Sequence, residues 1–139
     1  MRVMAIDYGD ARTGIAVSDA TASIPGDAWT VRETNAARLA ETIAAEAKSR
    51  GVSVVVLGYP KNMDGTLGPR AKKSEAFAEK LRALGLTVAL WDERRTTVAA
   101  HDILTANDRH GKRRKAVVDA VAATLILEGY LARGSGVEE

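Results

Sequence analysis

Cysteine is absent from this sequence. Disulfide frameworks, thiolate metal sites and cysteine nucleophiles are therefore excluded, and the absence suits a reducing compartment. Aromatic residues are scarce at 4%, so a core has to rest on Val, Leu, Ile and many Ala. Small, Ala-rich helix faces can lie close to a sheet. Long hydrophobic runs are missing as well. The N-terminal apolar run covers only residues 3–6 before Asp7 interrupts it, too short for the apolar region of a signal peptide. No stretch approaches the roughly 20 apolar residues of a membrane span. The expectation is a soluble, cytoplasmic protein with no membrane association. Neither sign of charge prevails, since the formal net charge is +2.

What is present has the size of one domain. With 139 residues the chain falls in the range of about 100–200 residues that a domain usually occupies. A single domain is expected over residues 1–133, with 134–139 a frayed tail. Charge is uneven at the C-terminal end, where Arg109, Lys112, Arg113, Arg114 and Lys115 cluster and the tail closes on Glu138 and Glu139. A local basic patch attracts phosphates even when net charge is small. A solvated polar loop would have the same composition.

The hydrophobic pattern changes period along the chain. Residues 2–8 read as a strand buried on both faces. A Gly-containing turn and a second strand over 13–19 follow, most simply as an antiparallel hairpin. Pro25-Gly26 marks another turn, and 28–31 form a weaker third strand. Ala36, Leu39, Ala40, Ile43, Ala44 and Ala47 then recur at helical spacing, with Gly51 placed to cap the helix end. Residues 52–58 are a buried strand, 69–84 a helix with Pro69 at its first position, and 86–91 another strand. Helical patterns cover 97–105 and, more strongly, 114–132. Three meandering strands followed by strand–helix alternation imply an α/β fold: a mixed five-stranded sheet, antiparallel first and parallel afterwards, flanked by helices.

Three acidic positions stand out. Asp7 ends an apolar strand, where a charge is costly unless paired or bound to a cation. A hydrogen-bonded turn aspartate beside Gly9 would also account for it. Asp92-Glu93 directly follow a strand of the parallel part, at the carboxyl end where ligand sites gather, although a plain polar strand exit reads the same way. Asp119 lies mid-helix in a stripe with Ala122, Ala123 and Ile126, so it packs towards the sheet and needs a partner. Burial alone would raise its pKa, whereas a divalent cation would keep it ionised. An ordinary pair with Lys115, one turn earlier, is the competing explanation. Phosphodiester hydrolysis calls for such carboxylates, because two Mg²⁺ or Mn²⁺ ions about 3.5–4 Å apart neutralise the attacking and leaving oxygens. Hard cations prefer carboxylates and water. His101 and His110 lack the spacing of a zinc site.

Two loops can approach a phosphate. The stretch Asp7-Tyr8-Gly9-Asp10-Ala11-Arg12-Thr13-Gly14 has two glycines five apart but no following Lys-Ser/Thr, so it is not a Walker A loop. It permits a tight hairpin in which the backbone and Arg12 could reach a phosphate. Asn62-Met63-Asp64-Gly65-Thr66 leads to a helix whose first turn holds Arg70, Lys72 and Lys73. Cations there oppose the helix dipole, and an anionic ligand would relieve the conflict. A surface loop without a ligand is the alternative.

Taken in order, Asp7-Tyr8-Gly9-x2-Arg12-x-Gly14-Ile15-Ala16-Val17-Ser18, Met63-Asp64-Gly65-Thr66, Asp92-Glu93-Arg94-x-Thr96-Thr97 and Val118-Asp119-x2-Ala122-Ala123-x2-Ile126-Leu127-x2-Tyr130-Leu131 resemble the YqgF/RuvX family of pre-16S rRNA nucleases, also described as Holliday junction resolvase-like. The resemblance runs from Val3 to about Leu131. It implies a ribonuclease H-like fold, catalytic and metal-binding roles for Asp7, Glu93 and Asp119, and a bacterial cytoplasmic protein acting in 16S rRNA maturation. Gly9, Arg12 and Gly14 match the first motif and Arg94 the third. Gly9, Arg12, Arg70, Lys72, Lys73, Arg94, Lys112, Arg113, Arg114 and Lys115 are the candidate nucleic-acid contacts. One position departs from the related RuvC-type resolvases, which carry a fourth acidic residue three positions after the helix aspartate. Here that position is Ala122, and neither Asp92 nor Asp10 has the spacing to replace it.

Three functional classes follow. The first is an endonuclease with two bound Mg²⁺ or Mn²⁺, acting on an rRNA precursor or on branched DNA; symmetric junction cutting needs a dimer, so monomer and homodimer both stay open. The second is a non-catalytic nucleic-acid-binding module using the basic cluster. The third is an actin-like or sugar-kinase ATPase, which clamps nucleotide between two such domains where this chain has room for one.

Overall fold

The computed structural model describes residues 1–59, 68–92 and 111–132, the last segment's first eight residues as helical backbone only. The elements in these regions are β1 (Arg2–Asp7), β2 (Arg12–Ser18), β3 (Pro25–Arg32), α1 (Ala36–Ser49), β4 (Val52–Tyr59), α2 (Pro69–Ala83), β5 (Val88–Asp92) and α3 (Gly111–Ala132). The strands form one sheet in the order β3-β2-β1-β4-β5. β1 pairs antiparallel with β2 and β2 with β3, whereas β4 runs parallel to both β1 and β5. This is the mixed five-stranded sheet expected from the order of patterns.

The two-residue period of the strands sorts their side chains between two cores. Met4, Ile6, Ile15, Val17 and Leu57 face α1 and α2, where Leu39, Ile43, Phe77 and Leu81 meet them. Val3, Ala5, Ala16, Val56 and Trp91 face the opposite way and pack on Ala123, Ile126 and Leu127 of α3. Each large aliphatic or aromatic side chain so buried contributes about 1.5–3 kcal/mol. Because β1 and β4 are covered on both sides, their apolar runs are continuous rather than alternating.

Local signals set the helix limits. The Asn35 side chain accepts from the Arg38 N–H at 2.9 Å and caps α1. Gly51 follows α1 with φ of 70° and Gly85 follows α2 with φ of 94°, backbone that non-glycine residues rarely adopt. Pro69 occupies the first turn of α2. Three element starts differ from expectation by two residues or more. β3 starts at Pro25, because an edge strand tolerates a proline at its first position; Pro25 pairs with Ser18. β5 starts at Val88, since the Leu86 N–H is used on the Leu81 carbonyl at 3.2 Å to close α2. α3 starts at Gly111 instead of 114, so Lys112 and Arg113 join Arg114 and Lys115 in the helix. The expected helix over 97–105 and the tail 134–139 lie outside the described residues. No helix among the described residues is long and apolar enough to cross a membrane.

Candidate active site

Asp7 is the last residue of β1, and its partner across the antiparallel ladder is Gly14. Strand alternation puts Val3, Ala5 and Asp7 on the face that α3 covers, together with Arg12, Gly14 and Ala16 of β2. Directly above Gly14 lies the backbone of Asp119. A Cβ added to Gly14 would stand 1.9 Å from the Asp119 carbonyl oxygen. Only a glycine lets the helix come down this far, and the approach brings Asp119 to the rung of the sheet that holds Asp7. Further along, Gly129 admits the Trp91 ring in the same way, with 2.8 Å left for a Cβ. The helix therefore crosses the sheet from β2 towards β5.

Arg12 is the residue that meets Asp119. Its Nε lies 3.3 Å from Asp119 Oδ2, yet both atoms are buried and neither has an aligned hydrogen-bond partner. The contact is an ion pair without hydrogen-bond geometry. Burial pushes the Asp119 carboxyl above its ordinary pKa, with the Arg12 charge opposing the shift. The competing pair with Lys115 depends on a side chain outside the described residues; Arg12, the partner in contact, comes from another element, which helical spacing could not reveal.

A buried carboxylate oxygen lacking a hydrogen bond fits a hard cation in charge and donor type. Among the described residues no group of three or more His, Cys, Asp or Glu is arranged to hold one. Asp7 and Asp119 supply two carboxylates. Glu93, the third expected, lies outside the described residues, immediately after Asp92 at the end of β5. Since β5 runs parallel to β4 and β4 to β1, Asp92 and Asp7 end their strands at the same edge of the sheet.

The β1–β2 turn is held from below by α2. Arg70 donates to the Tyr8 carbonyl at 2.6 Å and to Asp10 Oδ1 at 2.9 Å, and Lys73 reaches the same oxygen at 3.2 Å. The Tyr8 ring stacks on Phe77 with centroids 4.2 Å apart. Gly9 is required in the turn, because a Cβ there would lie 2.1 Å from the Arg12 carbonyl oxygen. These contacts correct one expectation. The anion that relieves the cationic first turn of α2 is Asp10 of the same chain, whose pKa Lys73 and Arg70 hold below its usual value. Asp10 is thereby committed and does not stand in for the acidic residue replaced by Ala122. Lys72 is exposed and lines a different groove, with Glu75, Glu79 and Leu90. Arg94, Arg109 and the 62–66 turn lie outside the described residues, as do the side chains of Lys112, Arg113, Arg114 and Lys115.

The family model described as RuvX: Holliday junction resolvase matches residues 1–133. The chain belongs to this family. A relative from Halothermothrix orenii, named "Putative pre-16S rRNA nuclease", is 44% identical over 133 residues, covering 94% of each chain. One of the same name from Myxococcus xanthus is 46% identical over 132 residues, covering 94% of this chain and 87% of its own. Among solved structures, Thermus thermophilus RuvC in complex with a Holliday junction substrate superposes with a TM-score of 0.63 at 14% identity, over 97% of both chains. Fowlpox virus resolvase with its junction DNA gives 0.60 at 13% identity, over 96% of this chain and 98% of that one. The fold is ribonuclease H-like, as the RuvX-family motifs implied.

Proposed function

We propose that this chain is a divalent-metal-dependent endonuclease that hydrolyses phosphodiester bonds in structured nucleic acid, with 16S rRNA precursor 5′-end processing in the bacterial cytoplasm as its role. The observation that carries the proposal is the convergence of Asp7 and Asp119 on Gly14, which gathers two acidic groups from distant parts of the sequence at the carboxyl end of a buried strand. Names of relatives that share over 40% of its residues point to rRNA precursors as substrate. Residues 1–133 would act as one nuclease domain.

In this reading Asp7, Glu93 and Asp119 hold Mg²⁺ or Mn²⁺, two ions in all. Bound there, the metal supplies charge neutralisation at the attacking and leaving oxygens and makes water more acidic. The protein's part is positional. Gly14 sets the height of α3 over the sheet and with it the placing of Asp119. Arg12 offsets part of the burial cost of that carboxylate, favouring its ionised, metal-binding form. Tyr8, clamped by Arg70 and Phe77, fixes the turn that follows Asp7. Arg12, Arg94, the Gly9 backbone and the α3 cations Lys112, Arg113, Arg114 and Lys115 would receive phosphates of the substrate backbone.

The test is cleavage of a labelled 16S precursor fragment and of a four-way DNA junction, each with Mg²⁺, Mn²⁺ or EDTA, by wild type and Asp7→Asn. Metal-dependent cutting of the RNA, lost in a folded Asp7→Asn variant, is the expected result. Preferential cutting of the junction would instead support the branched-DNA reading that the family model's description favours, and would require a dimer in solution. Binding without cutting of either substrate would make the chain a non-catalytic module.

A further inference from the structure

Arg12 and Arg32 are directly opposed residues of the β2–β3 ladder. Two like charges facing each other across an antiparallel pair are locally destabilising, and β3 is an edge strand where many other residues would serve. The two arginines line a cleft of about 350 Å³ together with Ala11, Glu33 and Thr34. Its acidic member is already occupied: Glu33 accepts from the Asn35 N–H at 3.0 Å and lies 4.0 Å from Arg38. The inner wall of the cleft is the same Arg12 that meets Asp119 at 3.3 Å. Whatever anion the cleft takes is thus one guanidinium away from the candidate catalytic carboxylates. Arg32, by contrast, is exposed at the outer rim.

We propose that Arg32 and Arg12 form a phosphate-binding cradle that holds the nucleic-acid backbone beside the scissile bond, guiding the strand off the Asp7–Asp119 centre across β3. The assignment rests on the nuclease reading and adds to it a contact residue and a path. Planar guanidinium groups suit phosphate oxygens because they offer paired donors. A bound phosphate also offsets the repulsion between the two arginines, so binding relieves a cost that the fold otherwise carries. The cradle reads the backbone and not the bases, so RNA and DNA are both held there.

The test uses the full-length chain in EDTA, with binding of a labelled DNA duplex and of the RNA duplex of the same sequence followed by anisotropy at several salt concentrations. Arg32→Glu is compared with Lys80→Glu, an equal charge change on an exposed face of α2. Arg32→Glu should bind at least tenfold more weakly than Lys80→Glu, with a salt dependence flatter by about 0.9 in log–log slope for DNA, the value for one lost phosphate contact. It should also melt at a higher temperature than wild type, because the introduced carboxylate would face Arg12 as an opposite charge. Loss of binding with a gain in stability is a signature that a merely structural arginine would not give. Equal binding by the two variants, or a lower melting temperature for Arg32→Glu, overturns the cradle. Metal-dependent cleavage by wild type, scored separately, tells that failure from failure of the nuclease reading: cutting that persists with an inert Arg32 sinks the cradle alone, whereas a wild type that binds neither duplex sinks both.

Discussion

Gly14 of β2 lies so close beneath Asp119 of α3 that a single methyl group at Gly14 would be 1.9 Å from the helix carbonyl oxygen. Opposite Gly14 on the ladder is Asp7. The glycine is therefore the spacer that determines how near two candidate metal ligands can come. Gly14→Ala should force α3 away from the sheet. Overpacking of this kind costs about 1–3 kcal/mol, and the displaced Asp119 should abolish metal-dependent cleavage even where the variant still folds. Thermal denaturation and the cleavage assay check the two effects. An alanine variant with wild-type stability would mean that the helix is not seated on this glycine.

Asp119 itself is costly to the fold. Burial raises its pKa above the usual aspartate value, the Arg12 charge only partly opposing. A carboxyl with a raised pKa favours the folded state while protonated, below its unfolded-state value near 4. That contribution is lost as pH rises through the raised pKa. Without metal, Asp119→Asn should therefore be more stable than wild type at neutral pH, and the difference should shrink in acid. Mn²⁺ should raise the melting temperature of wild type and leave that of Asp119→Asn unmoved. Equal stabilisation of both by Mn²⁺ would remove Asp119 from the metal site.

Much of this arrangement is legible in the sequence. Continuous apolar runs in residues 3–6 and 55–57 announce strands covered on both faces, and the helical stripe around Asp119 announces that it faces the sheet. Gly51, Pro69 and Gly85 mark helix limits because backbone conformation restricts which residues serve there. What is not legible is every contact between elements far apart in sequence. The partner of Asp119 is Arg12 and the partner of Arg70 and Lys73 is Asp10. Local spacing points instead to Lys115 and to an external anion, since helix periodicity reports only neighbours one turn away. The register that opposes Arg12 to Arg32 is hidden for the same reason: the sequence pattern ends β3 at Val31, one residue short of the pair.

The β2–β3 connection should be the acid-sensitive part of the sheet. Asp19 accepts from the Thr21 hydroxyl at 2.6 Å and from the Ser23 and Ile24 N–H groups at 2.8 and 3.1 Å. These bonds, that of Thr21 foremost, lower its pKa to about 2. A depressed carboxylate pKa contributes stability above the unfolded-state value, here near 4. The contribution declines as pH falls below 4 and is gone once pH passes about 2. Asp19→Ala should lower the melting temperature at neutral pH, and its deficit relative to wild type should vanish in strong acid. A deficit unchanged between neutral and acidic pH would mean that the carboxylate does not organise this turn.

Asp10 and the first turn of α2 allow a test of whether the protein supplies its own anion. Arg70 and Lys73 approach the helix N-terminus, where the dipole disfavours cations, and the shared carboxylate of Asp10 compensates both. All three side chains are substantially exposed, so solvent screens the pairs and the stability loss in Asp10→Asn should be small. The larger consequence is for binding. With Asp10 neutralised, Arg70 and Lys73 face solvent beside the turn that follows Asp7, and a phosphate can take the position the carboxylate held. Inorganic phosphate should then stabilise Asp10→Asn more than wild type at matched ionic strength. The variant should also bind nucleic acid more tightly in low salt while cleaving no faster, because added ground-state binding does not by itself lower the barrier. If phosphate stabilised both proteins equally, Asp10 would be a surface partner of these cations and not a competitor for their ligand.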